Sequence, residues 1–146
     1  MTVNFKKLNS NAKVPTYGSE FAAGADLYAC TNGETISFAP GETKLIKTGI
    51  AMDIPDGYAG LIYARSGIAT KRGLAPANKV GVIDSDYRGE IMVALHNHSD
   101  SAAKIDAKER IAQIVITPYL AVNYIEAEEL NDTERGTGGF GSTGTV

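Results

Sequence analysis

Hydrophobic positions along this chain come in short runs closed by turn signals, the pattern of strands rather than of helices. The runs ETISFAPG (34–41), TKLIKTGIAMDIP (43–55), YAGLIYA (58–64), NKVGVID (78–84), GEIMVALHN (89–97), ERIAQIVITPYL (109–120) and NYIEAEEL (123–130) predict strands or parts of strands. Turns are expected at Pro40-Gly41, Asp56-Gly57, Asp86 to Gly89 and Asn97 to Asp100. A single short helix is expected over SGIATKR (66–72), stopped by Gly73. Many short strands with Gly/Pro turns predict an all-β sandwich or jelly roll. A chain of 146 residues is long enough for one domain with a real core, and no apolar run reaches membrane-spanning length.

The polar residues that interrupt this pattern are the candidates for chemistry. The segment NKVGVIDSDYRGEIMVAL (78–95) reads as a hairpin in which Val80, Val82 and Asp84 share one face and Gly81 and Ile83 the other. Asp84 thus continues an apolar row, where a carboxylate needs a partner or a purpose, although a turn aspartate capping backbone N–H groups is the commoner case. Asp86 fits that turn role better, and Tyr87 beside it is either hairpin packing or a ring offered to a ligand. In YARSGIATKRG (63–73) a strand gives way to the helix, with Arg65 and Ser66 at the junction. Ser66 is the expected N-cap, and Arg65 adds a cation where an anion would meet free N–H groups. Asp26, in AAGADLYA (22–29), has a turn residue as its default reading. In ERIAQIVI (109–116), Gln113 shares a row with Ile111 and Val115 and so needs a hydrogen-bond partner.

Composition narrows the classes. The net charge of -3 argues against a nucleic-acid-binding surface. A lone Cys30 excludes an internal disulfide, fits a reducing compartment, and reads as a small buried hydrophobe. The opening MTVNFKKLNSNAKVP has no apolar stretch of the signal-peptide kind, so none is expected. His96 and His98 would share a strand face, but no third ligand accompanies them, which argues against zinc. The C-terminal RGTGGFGSTGTV (135–146) mimics phosphate-loop spacings but leaves no room for the helix such loops require. On composition alone it is a disordered Gly/Ser/Thr tail. Its arginine, its lone Phe140 and its hydroxyls suit instead a flap that orders on a phosphorylated, aromatic ligand.

The segments AGADLYA, RSGIATKRGL, NKVGVIDSDYRGE, ERIAQIVI and RGTGGFGSTG occur in the order and at the spacings of the motifs of the trimeric deoxyuridine triphosphatase (dUTPase) family, which the chain resembles from about Ala22 to Thr143. Any one motif is weak, whereas all of them together in so short a chain are specific. Ala64 stands where the family usually has proline, a change that removes no functional side chain.

The resemblance implies a β jelly roll (1–130) with a mobile Gly-rich arm (131–146), assembled as a homotrimer whose sites are shared between subunits. It implies Mg2+-dependent hydrolysis of dUTP to dUMP and pyrophosphate, limiting uracil incorporation into DNA and supplying dUMP for thymidylate synthesis. Asp84 would activate the water attacking the α-phosphorus, a role that needs a carboxylate near that water. Asp26 would reach the metal through its water shell, as Mg2+ tolerates. Arg65, Ser66, Gly67 and Gln113 would hold phosphates, with less weight given to Arg110. Arg135, Gly141, Ser142 and Thr143 would close over the outer phosphates. Backbone groups of Val82, Ile83 and Asp84, with Asn78 and Met92 opposite, would pair with the uracil edge. Tyr87 would lie under the deoxyribose and exclude a 2′-hydroxyl, and Phe140 would stack on the base. No nucleic acid or membrane partner is implied, and the expected location is the cytosol, or the host cytosol or nucleus for a viral chain. A dCTP deaminase on the same fold, a nucleotide-sensing regulator and a purely structural jelly roll are the competing readings. RSGIATKRG carries no extra glutamate or arginine of the deaminase kind, no insertion offers a regulator's partner surface, and the intact polar set argues against the third.

Overall fold

In the computed structural model, which describes residues 1–139, strands dominate. In chain order they are β1 (Asn4–Lys7), β2 (Thr16–Tyr17), β3 (Ala25–Tyr28), β4 (Ile36–Phe38), β5 (Thr43–Lys47), β6 (Ile50–Asp53) and β7 (Tyr58–Tyr63), then helix α1 (Ser66–Arg72), then β8 (Leu74–Pro76), β9 (Gly81–Ile83), β10 (Met92–Asn97), β11 (Ala103–Ile105) and β12 (Arg110–Pro118). All pairings are antiparallel. The largest sheet runs β2-β3-β12-β7-β9, a second runs β5-β10-β8, and β1-β6 and β4-β11 form two-stranded ribbons. The architecture is the β jelly roll expected from the sequence.

The faces turned inward bury Leu27, Phe38, Ile46, Ile50, Leu74, Ile91, Leu95, Ile105 and Ile111 almost completely. Each such side chain contributes about 1.5–3 kcal/mol relative to exposure. The expected run 43–55 divides into β5 and β6 at Gly49, whose φ of +70° turns the backbone into the left-handed region. A Cβ there would stand 2.7 Å from the Ala12 Cβ and 3.0 Å from the Cys30 sulfur, so only glycine fits. Helix α1 covers the expected residues and ends at Gly73 (φ 66°), whose N–H bonds the Ile68 carbonyl.

Two expectations fail. Residues 78–95 do not form a continuous hairpin ladder. β9 pairs with β7, whereas β10 pairs with β5 and β8, so the two arms enter different sheets. The Ala77 N–H, just after β8, bonds the Ala94 carbonyl at 2.7 Å and so extends the β8–β10 pairing. Residues 123–130 form no strand. Tyr124, Ile125 and Leu130 are almost fully exposed, because nothing among the described residues pairs with or covers this run. The short β1, β2, β3, β8 and β11 lie outside the expected strands.

Candidate active site

Asp26 is a buried strand residue of β3, not a turn residue. Its carboxylate receives two guanidinium groups. Arg65 Nε lies 2.6 Å from Oδ1, and Arg110 Nη1 lies 3.2 Å from Oδ2. A carboxylate in this position is tolerable because it is paired on both oxygens. Arg65 itself occupies the N-cap of α1 in extended conformation (φ -92°, ψ 131°) without a side-chain cap bond. Ser66 is therefore the first helical residue, not the cap, because Arg65 takes the capping backbone geometry. Behind the arginines, Gly67, Ile68, Lys71, Arg72 and Glu109 complete a shallow depression.

The partner that Gln113 requires is the Ala64 carbonyl, which accepts from Nε2 at 2.9 Å. Because the acceptor is a backbone carbonyl, alanine at position 64 supplies it as a proline would. Gly24 allows the arrangement, since a Cβ there would sit 2.5 Å from Gln113 Oε1. Gln113 pairs across the sheet with Asp26 on one side and Tyr63 on the other, so β12 carries the amide next to the buried carboxylate. Beneath them Arg72 and Glu109 form a forked ion pair, Arg72 also donating to the Lys104 carbonyl at 2.8 Å. Burial pushes the Glu109 carboxyl up, but the Arg72 hydrogen bond, the Asp106 N–H and the Arg72 charge outweigh it, leaving Glu109 below the ordinary range. Arg72 is raised, chiefly by its hydrogen bond to Glu109.

A second constellation lies where β9 and β10 part. Leu45, Val82, Ile83, Asp84, Tyr87, Glu90 and Met92 line an opening between them. β9 is an edge strand, so one row of its backbone donors and acceptors is left for a ligand. The small Gly81 faces the core against Ile62, with the Asn78 amide 3.1 Å from where its Cβ would be. That inverts the expected row: Val80, Val82 and Asp84 point to solvent, so Asp84 is an exposed carboxylate at the rim rather than a buried one. The Tyr87 N–H bonds the Asp84 carbonyl at 3.2 Å, closing the turn that holds both.

The two constellations sit at opposite ends of one strand pair. In the β7–β9 ladder Ile62 faces Gly81 and Gly60 faces Ile83. Asp84 follows β9 at the end where β7 begins, while Arg65 follows β7 at its C-terminal end.

A model of the dUTPase family matches residues 10–144. The deoxyuridine 5′-triphosphate nucleotidohydrolase of Nautilia profundicola is 53% identical over 144 residues, 99% of both chains. The enzyme of the same name from Hydrogenobaculum is 47% identical with the same coverage. Among solved structures, a point mutant of the Staphylococcus bacteriophage 80alpha dUTPase with dUpNHpp superposes at a TM-score of 0.88, with 31% identity over 98% of both chains. The chain belongs to the dUTPase family. Seen as a dUTPase, it groups its candidate residues into two clusters, Asp26, Arg65, Ser66, Gly67, Arg110 and Gln113 in one, and Val82, Ile83, Asp84, Tyr87 and Met92 in the other. Asn78 is exposed, its amide against Gly81 of β9. Arg135 lies in the exposed terminal segment, its Nε bonding the Gly138 carbonyl at 2.7 Å. Phe140, Gly141, Ser142 and Thr143 lie outside the described residues. The sequence gives Arg110 less weight and does not single out Leu45 or Glu90, whereas the structure puts Arg110 on the Asp26 carboxylate and the other two at the β9–β10 opening. Leu45 could have been found as the outward residue of the alternating TKLIK.

Among the described residues no group of three or more His, Cys, Asp or Glu side chains could hold a metal. His96 instead bonds Thr43 Oγ1 at 2.9 Å through Nδ1, and Cys30 is buried and free, its thiol raised chiefly by burial.

Proposed function

We propose that this dUTPase hydrolyses dUTP to dUMP and pyrophosphate, at sites assembled between copies of the chain in a homotrimer. The observation that carries the reading is the edge of β9, where unpaired backbone groups, the Asp84 carboxylate and the Tyr87 ring surround one opening. The β9 edge is suited to pair with a uracil edge as a base-pair partner does, and Met92 and Leu45 narrow the space around it. A cytosine presents the wrong donor, and an unpaired buried polar edge is costly, so discrimination can be large. Tyr87 packs against the sugar.

Asp84 accepts a proton from the water as its oxygen bonds to the α-phosphorus. The bond from that phosphorus to the bridging oxygen of pyrophosphate breaks, and the electron pair leaves with the diphosphate. Arg65, Arg110, Gln113 and the N–H groups at the start of α1 orient the phosphates and stabilise the charge that shifts to the leaving group. Mg2+ would be held by phosphate oxygens and waters, with the Asp26 carboxylate reaching its water shell. Bound there, the ion would neutralise phosphate charge.

Asp84 leaves β9 and Arg65 leaves β7 at opposite ends of that strand pair, which supports a site shared between chains. The uncovered apolar run 119–130 supports the same reading. The C-terminal arm is proposed to close over the bound nucleotide of a neighbour. Pyrophosphate release across dUTP, dCTP, dTTP and UTP tests the assignment. Release from dUTP alone is expected, and comparable release from dTTP, or ammonia release from dCTP, would overturn it.

A further inference from the structure

Tyr87 has 40% of its surface exposed, yet its ring is held in one place. Its hydroxyl donates to the Glu90 carbonyl at 3.0 Å. The ring folds over Gly89 so closely that a Cβ at that position would lie 2.5 Å from Cζ and 2.9 Å from Cε2, and against the hydroxyl oxygen as well. Gly89 is not among the residues with positive φ, so its backbone conformation does not demand glycine. What demands it is the aromatic ring in the space of a side chain. The Glu90 carbonyl is fixed in turn. Glu90 Oε1 accepts the Gly49 N–H at 2.8 Å, and Gly49 is wedged against Ala12 and Cys30. The next residue, Ile91, is fully buried and donates its N–H to the Ile50 carbonyl at 2.8 Å. A continuous set of contacts therefore runs from the core through Gly49 and Glu90 to the tyrosine hydroxyl.

We infer that Gly89 and Glu90 are positioning residues for sugar selection: Gly89 supplies the space the Tyr87 ring lies in and Glu90 the anchored carbonyl that fixes it, and together they set the wall of the opening that rejects a ribonucleotide. The inference rests on the reading of Tyr87 as the residue packed against the sugar. A methyl group at position 89 pushes the ring off its seat and into the opening or out to solvent. Either movement changes the fit around C2′ more than it changes the phosphate contacts, which come from other elements.

The experiment measures kcat/KM for dUTP and UTP in the full-length chain and in the variants Gly89→Ala, Tyr87→Ala, the double variant, Glu90→Ala and Glu90→Gln, with thermal unfolding of each. The dUTP-over-UTP ratio is expected to fall about tenfold or more in Gly89→Ala and in Tyr87→Ala, on the scale of a changed packing contact. Adding Gly89→Ala to Tyr87→Ala is expected to change the ratio no further, because the three atoms nearest a Cβ at position 89 all belong to the Tyr87 side chain. Glu90→Ala is expected to lower the ratio, and Glu90→Gln, which keeps the acceptor for the Gly49 N–H, to restore most of it. A normal ratio in folded Gly89→Ala, with a lowered one in Tyr87→Ala, overturns this inference alone. So does an equal fall from Gly89→Ala in the Tyr87→Ala background. A normal ratio in Tyr87→Ala overturns the reading of the ring and this inference with it. Should Gly89→Ala fail to fold, the Glu90 pair decides, and equal ratios in Glu90→Ala and Glu90→Gln overturn the anchoring role.

Discussion

Arg65 and Asp84 stand at opposite ends of the β7–β9 pair, one following β7 off its C-terminal end, the other leaving β9. The guanidinium side of the site is built around a buried carboxylate, with Asp26 gathering Arg65 and Arg110. The base side is an edge strand with an exposed carboxylate. In the proposed trimer these are two half-sites, each to be completed by the opposite half of a neighbour.

Replacing Asp84 with Asn is expected to preserve nucleotide binding and to cut turnover roughly a hundredfold or more, the scale of a lost general base. The exposed rim position means that folding is little affected. Calorimetry with a non-hydrolysable dUTP analogue, beside a pyrophosphate assay, separates the two effects. Turnover near the wild-type rate would remove Asp84 from the role of base.

Gly24→Ala tests the seat of Gln113. The new methyl meets the end of a flexible side chain, 2.5 Å from Oε1 in its present position, so the amide swings away and its bond to the Ala64 carbonyl is lost. Stability is expected to change by about 1 kcal/mol, the worth of one hydrogen bond, while KM for dUTP rises severalfold. Urea unfolding and steady-state kinetics check both. An unchanged KM would show that Gln113 does not hold the phosphates.

Much of this was legible in the sequence because it rests on local pattern. The alternation around Gln113 announced a polar side chain that needed a partner, and Gly73 marked the helix end. Asp26 was not legible as a buried residue, because what makes its burial tolerable is a pair of arginines supplied by distant segments. The alternation of Val80, Val82 and Asp84 against Gly81 and Ile83 was legible, but periodicity does not say which face is inside, and the small Gly81 took the core face. The run 123–130 has strand composition, but a strand needs a neighbour, and the described residues supply none. Leu45 and Glu90 reach the opening through the pairing of β5 with β10 and the contact of Glu90 with Gly49, neither of which a local reading reveals.

Acid should loosen the junction between α1 and β12. Glu109 is held below the ordinary carboxylate range, so in folding it binds its proton less tightly than in the unfolded chain. Below the unfolded value of about 4.3 the unfolded state takes up the extra proton, and stability falls as pH falls through the lower folded value. Above that window the contribution is fully present. Glu109→Gln is expected to be less stable at neutral pH and to lose less on acidification from about pH 5 to pH 3. Equal acid sensitivity of the two proteins in denaturant titrations would show that the Arg72–Glu109 pair contributes nothing to the pH dependence.

The central claim is that Asp84 of one chain works with Arg65 of another. Asp84→Asn and Arg65→Gln chains are each expected to be nearly inactive alone. Mixed under conditions that exchange subunits, and confirmed as heterotrimers by native mass spectrometry, they should regain activity. In a cyclic trimer holding both variants, one of the three interfaces joins an intact Asp84 to an intact Arg65, so about one third of the wild-type rate is expected per heterotrimer. Heterotrimers no more active than their parents would contradict the shared site, because two defects in separate chains leave no intact pair only when each site lies within a single chain.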